Sequence, residues 1–111
     1  MKITLKLAMT LAATITLGSA AASADTSALW NKYCASCHGH DGSGNTAMGR
    51  KAGAQDYRHA GVQASFSDSE AFAAIEGGVK RKGKVKMKGF GHKLSDSEIR
   101  ALVTYVRHFR K

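Results

Sequence analysis

Proline is absent from this 111-residue chain, so every helix end must be made by glycine or by a capping side chain. Cysteine is nearly absent as well: there are two, both in Cys34-Ala35-Ser36-Cys37. A disulfide across so short a loop would constrain little of the chain, which excludes a disulfide framework and leaves the pair a chemical role. No apolar stretch approaches the ~20 residues that a membrane-spanning helix needs. Sustained apolar alternation is missing too, so no half-buried strand is expected. Acidic side chains are scarce, eight against 17 lysines and arginines.

What is present begins with Lys2 and Lys6, an apolar stretch from Leu7 to Leu17, and the small-residue triplet Ala22-Ser23-Ala24 just before Asp25. That is the layout of a secretory signal peptide over residues 1–24. Its removal leaves one domain, 25–111, exported to the periplasm and without stable membrane insertion. Two basic residues leave with the leader and no acidic ones, so fifteen against eight give the mature chain a charge of +7. Such a charge implies partners with acidic docking surfaces, and export argues against nucleic acid. A monomer is expected. Of the 111 residues, the 87 left after the leader form a domain that buries only about 60% of its unfolded surface, and a domain that small usually needs a staple or a cofactor.

The mature chain reads as all-α. A first helix is expected from Asp25 or Thr26, either of which can cap it, through Leu29, Trp30 and Tyr33 into the cysteines, with Gly39 as its end. The glycine-rich stretch from His40 to Asn45 and the residues up to Phe66 predict irregular or short helical structure. Ser67-Asp68-Ser69-Glu70 is a capping box, followed by Ala71, Phe72, Ala74 and Ile75 and closed by Gly77-Gly78. The same box recurs at Ser95-Asp96-Ser97-Glu98. Ile99, Leu102, Val103, Val106 and Phe109 then mark one face of a last helix. Val79 to Leu94, rich in Lys and Gly, reads as a loop.

Cys34-Ala35-Ser36-Cys37-His38 is the C-x-x-C-H pattern of c-type haem attachment. On a helix, positions i, i+3 and i+4 share a face, so both sulfurs and the imidazole point the same way. Two vinyl groups and an iron can then be met by one local element. Two other readings compete. A thioredoxin-like dithiol normally sits where a strand enters a helix, and no such alternation exists here. A zinc site would have to recruit scattered histidines for its remaining ligands.

From Thr26 to Phe109 the chain resembles the small bacterial class I cytochromes c, monohaem proteins with His and Met ligands. The residues that carry the resemblance are Trp30, four positions before the first cysteine, and Cys34 to Gly39 with the Asp41-Gly42-Ser43-Gly44 continuation. Lys84-Val85-Lys86-Met87, Phe90-Gly91 and the Leu102-Val103-Thr104-Tyr105-Val106 segment complete it. The resemblance implies that the first and last helices cross, with Trp30, Leu102 and Tyr105 packed at the crossing. It also implies one haem c joined to Cys34 and Cys37. Two positions depart from the family's habit: Lys88 stands where a proline often follows the methionine, and Thr26 where a glycine often lies at the crossing.

His38 supplies the first axial ligand in this reading. Candidates for the second are Met48, Met87, His40, His59, His92 and His108. Met48 follows His38 by only ten residues, whereas Met87 lies 49 residues on with a helix between and can reach the far face. Met87 is therefore favoured, with support from the resemblance, and His92 in the same loop is the second choice. A thioether disfavours ferric iron relative to a second imidazole and raises the potential. Lys80, Arg81, Lys82, Lys84, Lys86 and Lys88 crowd around Met87, a surface suited to brief encounters with acidic partners. The expected role is a single-electron carrier rather than an enzyme. A catalytic or sensory haem protein with an open sixth position, or a cytochrome subunit of a larger complex, are the alternatives.

Overall fold

The computed structural model describes residues 3, 8–14 and 20–111, without the side chains of 20–24. Of the leader expected over residues 1–24, residues 1–2, 4–7 and 15–19 lie outside the described residues. Helix α1 spans Ala20–Tyr33, so it starts upstream of the expected cap at Asp25 or Thr26. The residues before that cap are mostly alanine, the strongest helix former, and none of them stops the helix.

Helical hydrogen bonding continues into the cysteines with one interruption. The Cys34 N–H donates to Trp30 O at 2.9 Å, Cys34 itself forms a turn, and α2 covers Ala35–His38. The His38 N–H reaches back to Cys34 O at 2.9 Å, which preserves the one-sided arrangement of both cysteines and the histidine. Gly39 ends the segment at φ +82°, a conformation costly for any other residue.

Beyond Gly39 come two short helices, α3 (Ala47–Ala52) and α4 (Ala60–Ala64), as the sequence suggests. Both expected capping boxes form: Ser67 with Glu70 at the start of α5 (Asp68–Gly77), and Ser95 with Glu98 at the start of α6 (Asp96–Arg107).

One expectation needs correction. Within the stretch from Val79 to Leu94 lies an antiparallel hairpin, β1 (Val79–Arg81) with β2 (Lys84–Met87), rather than an irregular loop. Lys82 and Gly83 make its turn with φ of +51° and +74°, the positive pair of angles that suits the twist of a two-residue hairpin. Neither face of the hairpin is deeply buried, so no apolar alternation marks it in the sequence. The fold remains mostly helical, with six helices and this small sheet among the described residues.

The core lies where α1 meets α6. Trp30, Ile99, Leu102, Val103 and Val106 are buried together. The Trp30 ring contacts Tyr105 at 5.5 Å and Phe109 at 4.9 Å between centroids. Thr26, one of the two departures from the resembled family, is buried as well. The crossing expected of Trp30, Leu102 and Tyr105 is thus what holds the two ends of the domain together. α5 packs on α6 from another side.

A buried glutamine joins the middle of the chain to α6. The Gln63 side-chain amide donates to Tyr57 O and to Val106 O, both at 2.8 Å. Arg107 answers from α6, donating to the Gln63 backbone and side-chain oxygens and to Phe66 O while pairing with Asp68. Replacing Gln63 by Leu takes the amide donor from Tyr57 O and from Val106 O, which keeps its 3.3 Å bond from the Phe109 N–H, and removes the side-chain oxygen that accepts from Arg107. It is expected to cost about 2 kcal/mol of stability, in the range for unsatisfied buried groups, read from urea unfolding of the mature protein. An unchanged midpoint would show the amide to be dispensable.

Candidate haem site

The turns and helix ends around Cys34 to His38 enclose one side of a cavity of about 590 Å³. Cys34, Cys37 and His38 contribute one part of its wall. Trp30, Phe66, Ile75, Leu102 and Val106 supply apolar surface, and Val79, Lys86, Met87 and Lys88 of the hairpin region close it further. The size falls within the range of small-molecule and cofactor sites, which are mostly apolar with a few polar groups.

Side chains fasten the backbone at the end of the C-x-x-C-H motif. The Trp30 indole N–H donates to Gly39 O at 3.0 Å, tying the aromatic anchor to the end of the motif. The Thr46 hydroxyl donates to Cys37 O at 2.7 Å while accepting from the Gly49 N–H, so the cap of α3 also fastens Cys37. Gly49 faces this contact so closely that a Cβ there would collide with the Cys37 and Gly44 carbonyls. A side chain at Gly49 would push α3 away from the cysteines.

Burial sets the protonation of the donors. It pushes the Cys34 thiol up to about 11, with the neighbouring Cys37 adding to the rise. The thiol therefore stays neutral at ordinary pH. Burial also lowers the pKa of His38, which favours the neutral imidazole that binds a metal. Its Nδ1 is buried and has no hydrogen-bond partner among the described residues. Tyr57 lies nearly parallel to the His38 ring, and its own hydroxyl is raised in pKa by burial.

The structure sorts the ligand candidates. Met87 is half-buried and lines the cavity together with His38. Met48 lines it too, from α3, but is 59% exposed. The four histidines outside the motif do not line the cavity. His40 bonds Asn31 at 2.8 Å on the surface, His59 approaches Asp56, and His92 and His108 are exposed. His92, the second choice on sequence, has no place at this wall.

Sequence reasoning missed Tyr57, Phe66 and the Thr46–Gly49 support. Thr46 before Ala47 is an N-cap signal that could have been read. Tyr57 and Phe66 stand in a stretch without periodicity, so nothing local marks them as cavity walls.

Two thiols one helical turn apart, a buried neutral imidazole, a second sulfur and apolar walls form the donor set that suits a haem. Fold and site together define a small c-type cytochrome of class I type, a protein of haem c. The chain belongs to the family described as cytochrome c oxidase, cbb3-type, subunit III, which matches it over residues 21–106. Among solved structures it is similar to a c-type cytochrome titled KustC0563, with 34% identity and a TM-score of 0.67, over 78% of this chain and 98% of that one. A tyrosine-to-phenylalanine mutant of that cytochrome is similar at 34% identity and a TM-score of 0.65, over 78% of this chain and 99% of that one. No curated protein matches the chain.

Proposed function

We propose that this cytochrome is a periplasmic single-electron carrier in which Cys34 and Cys37 hold one haem c through thioethers and His38 and Met87 are its axial ligands. The observation that carries the reading is that all four side chains border one cavity with apolar walls. The haem supplies an iron that cycles between Fe(II) and Fe(III). His38 presents a neutral nitrogen, and the Met87 thioether favours the reduced state. Trp30, Phe66, Ile75, Leu102 and Val106 exclude water, which keeps solvent reorganisation small as the charge changes. Were His38 and Met87 both to bind the iron, no position would be left open for a substrate, which fits transfer rather than catalysis. Residues 1–24 would act as the export leader.

The similar cytochrome KustC0563 is covered over 98% of its length, which supports a single-domain carrier. The family's description names an oxidase subunit, so a role inside such a complex is the second reading. Mass spectrometry of protein matured in a periplasm tests the core of the proposal. Expected is the mass of residues 25–111 plus one haem, and the bare chain mass would refute it.

Lys80, Arg81, Lys82, Lys84, Lys86 and Lys88 are all exposed on the hairpin and just after it, and none makes an ion pair among the described residues. Arg81, Lys86 and Lys88 stand at the cavity itself. This unneutralised rim suits acidic redox partners. Electron transfer to such a partner is expected to slow roughly 10-fold or more between low and high salt, as for steered association. Rates indifferent to salt would remove the hairpin from the docking surface.

A further inference from the structure

A metal-binding imidazole is normally oriented by a hydrogen bond from its second nitrogen to a carbonyl or carboxylate. His38 has no such bond among the described residues, because its Nδ1 is buried without a partner. Two aromatic rings lie beside it. The Tyr57 ring faces it with centroids 5.4 Å apart and planes 22° from parallel. Trp30 approaches at 5.6 Å, tilted by 42°.

Tyr57 is itself held firmly. Its N–H donates to Gly42 O at 2.9 Å and its carbonyl accepts from the Gln63 amide at 2.8 Å. The edge of its ring meets Phe66 at 5.9 Å and 73°. On the chain beside it, Arg58 binds Asp56 through Nε and Nη2 at 2.9 and 2.8 Å, which holds that carboxyl well below the usual carboxylate range. Trp30 is equally constrained, by its bond to Gly39 O and its contacts with Tyr105 and Phe109. The imidazole therefore sits against two rings that cannot easily turn.

We infer that Tyr57 is a positioning residue whose stacked ring fixes the plane of the His38 imidazole, the task that a hydrogen bond at Nδ1 would otherwise perform. This rests on His38 as an axial ligand. Stacking acts through the ring face, so the hydroxyl is not required and an aliphatic side chain cannot substitute. The orientation of the ligand plane sets how the iron orbitals are split, and that splitting is visible by spectroscopy without any assay of electron transfer.

The test uses the full haem-loaded protein and its Tyr57→Phe and Tyr57→Leu variants. Electron paramagnetic resonance of the oxidised forms is read together with the urea midpoint of each. Tyr57→Phe is expected to keep the wild-type g values. Tyr57→Leu is expected to shift and broaden the largest g value, reporting a ring free to rotate. Should Tyr57→Leu fail to accumulate with haem, Tyr57→Met fills similar space without a ring and carries the same expectation. Wild-type g values in the Leu or Met variant would overturn the inference, and so would a Phe variant altered as much as Leu. A wild-type protein lacking any low-spin imidazole signal would instead overturn His38 ligation itself, which is a distinguishable result.

Discussion

Replacing Met87 by alanine is expected to remove the weak far-red absorption band of the oxidised protein, to let cyanide or carbon monoxide bind at once, and to lower the reduction potential. The fall should be on the order of 0.2 V, a fraction of the ~0.8 V that axial ligation spans. The reason is chemical: a thioether stabilises Fe(II), and without it the sixth position is open to water or added ligand.

The backbone that presents Met87 is held by packing. Met87 ends β2 opposite Val79. A Cβ on Gly78 would lie 2.6 Å from Met87 O, and one on Gly89 would lie 2.6 Å from Glu76 O, so the strand that carries Met87 runs close against the end of α5. The Phe90 and Gly91 N–H groups then donate to Ile75 O at 2.8 Å and Glu76 O at 3.0 Å. This clamp supplies the stiffness that a proline after the methionine would otherwise give, which answers the departure at Lys88. Met48→Ala is the control, because Met48 shares the cavity. It should leave the far-red band intact, and loss of the band in that variant alone would transfer the sixth ligand to Met48.

The second large effect concerns folding. A chain carrying Cys34→Ser and Cys37→Ser cannot form thioethers, and its cavity would have to be filled by water or collapse. Without the group that would fill it, the apolar wall of this cavity of about 590 Å³ is left to water, and the stabilisation that a bound cofactor gives to the folded state is lost. Whole domains are stable by only about 5–15 kcal/mol. The double variant is therefore expected to lose most of its far-UV helical signal and its cooperative unfolding, besides having the bare chain mass. Circular dichroism with urea titration decides it. A variant that unfolds cooperatively at the wild-type midpoint would show that the polypeptide alone carries the fold.

Much of this architecture was legible where chemistry and local geometry coincide. The C-x-x-C-H motif needs only one helical turn to put its three side chains on a face, so residues 34–38 disclose it unaided. The two Ser-x-x-Glu boxes are equally local, since each satisfies its own helix start. The face of α6 shows because 3.6-residue spacing repeats for three turns. The hairpin was invisible for the opposite reason: both its faces are largely wet, so hydrophobic patterning never had to mark it. Gln63, Tyr57 and Phe66 were invisible because each acts on residues far away in the chain, Gln63 on Val106 and Tyr57 on His38.

What the sequence determined by itself was the kind of chemistry: two thiols, an adjacent imidazole, a distant methionine, a leader-like start and a basic stretch around the methionine. Tertiary structure alone decided which of these meet. It brought Met87 to the His38 cavity, left His92 outside, admitted Met48 at an exposed edge, and set Tyr57 against an imidazole whose Nδ1 has no hydrogen-bond partner among the described residues. Local rules reach about one helical turn, whereas the walls of a cavity are chosen by how whole helices pack.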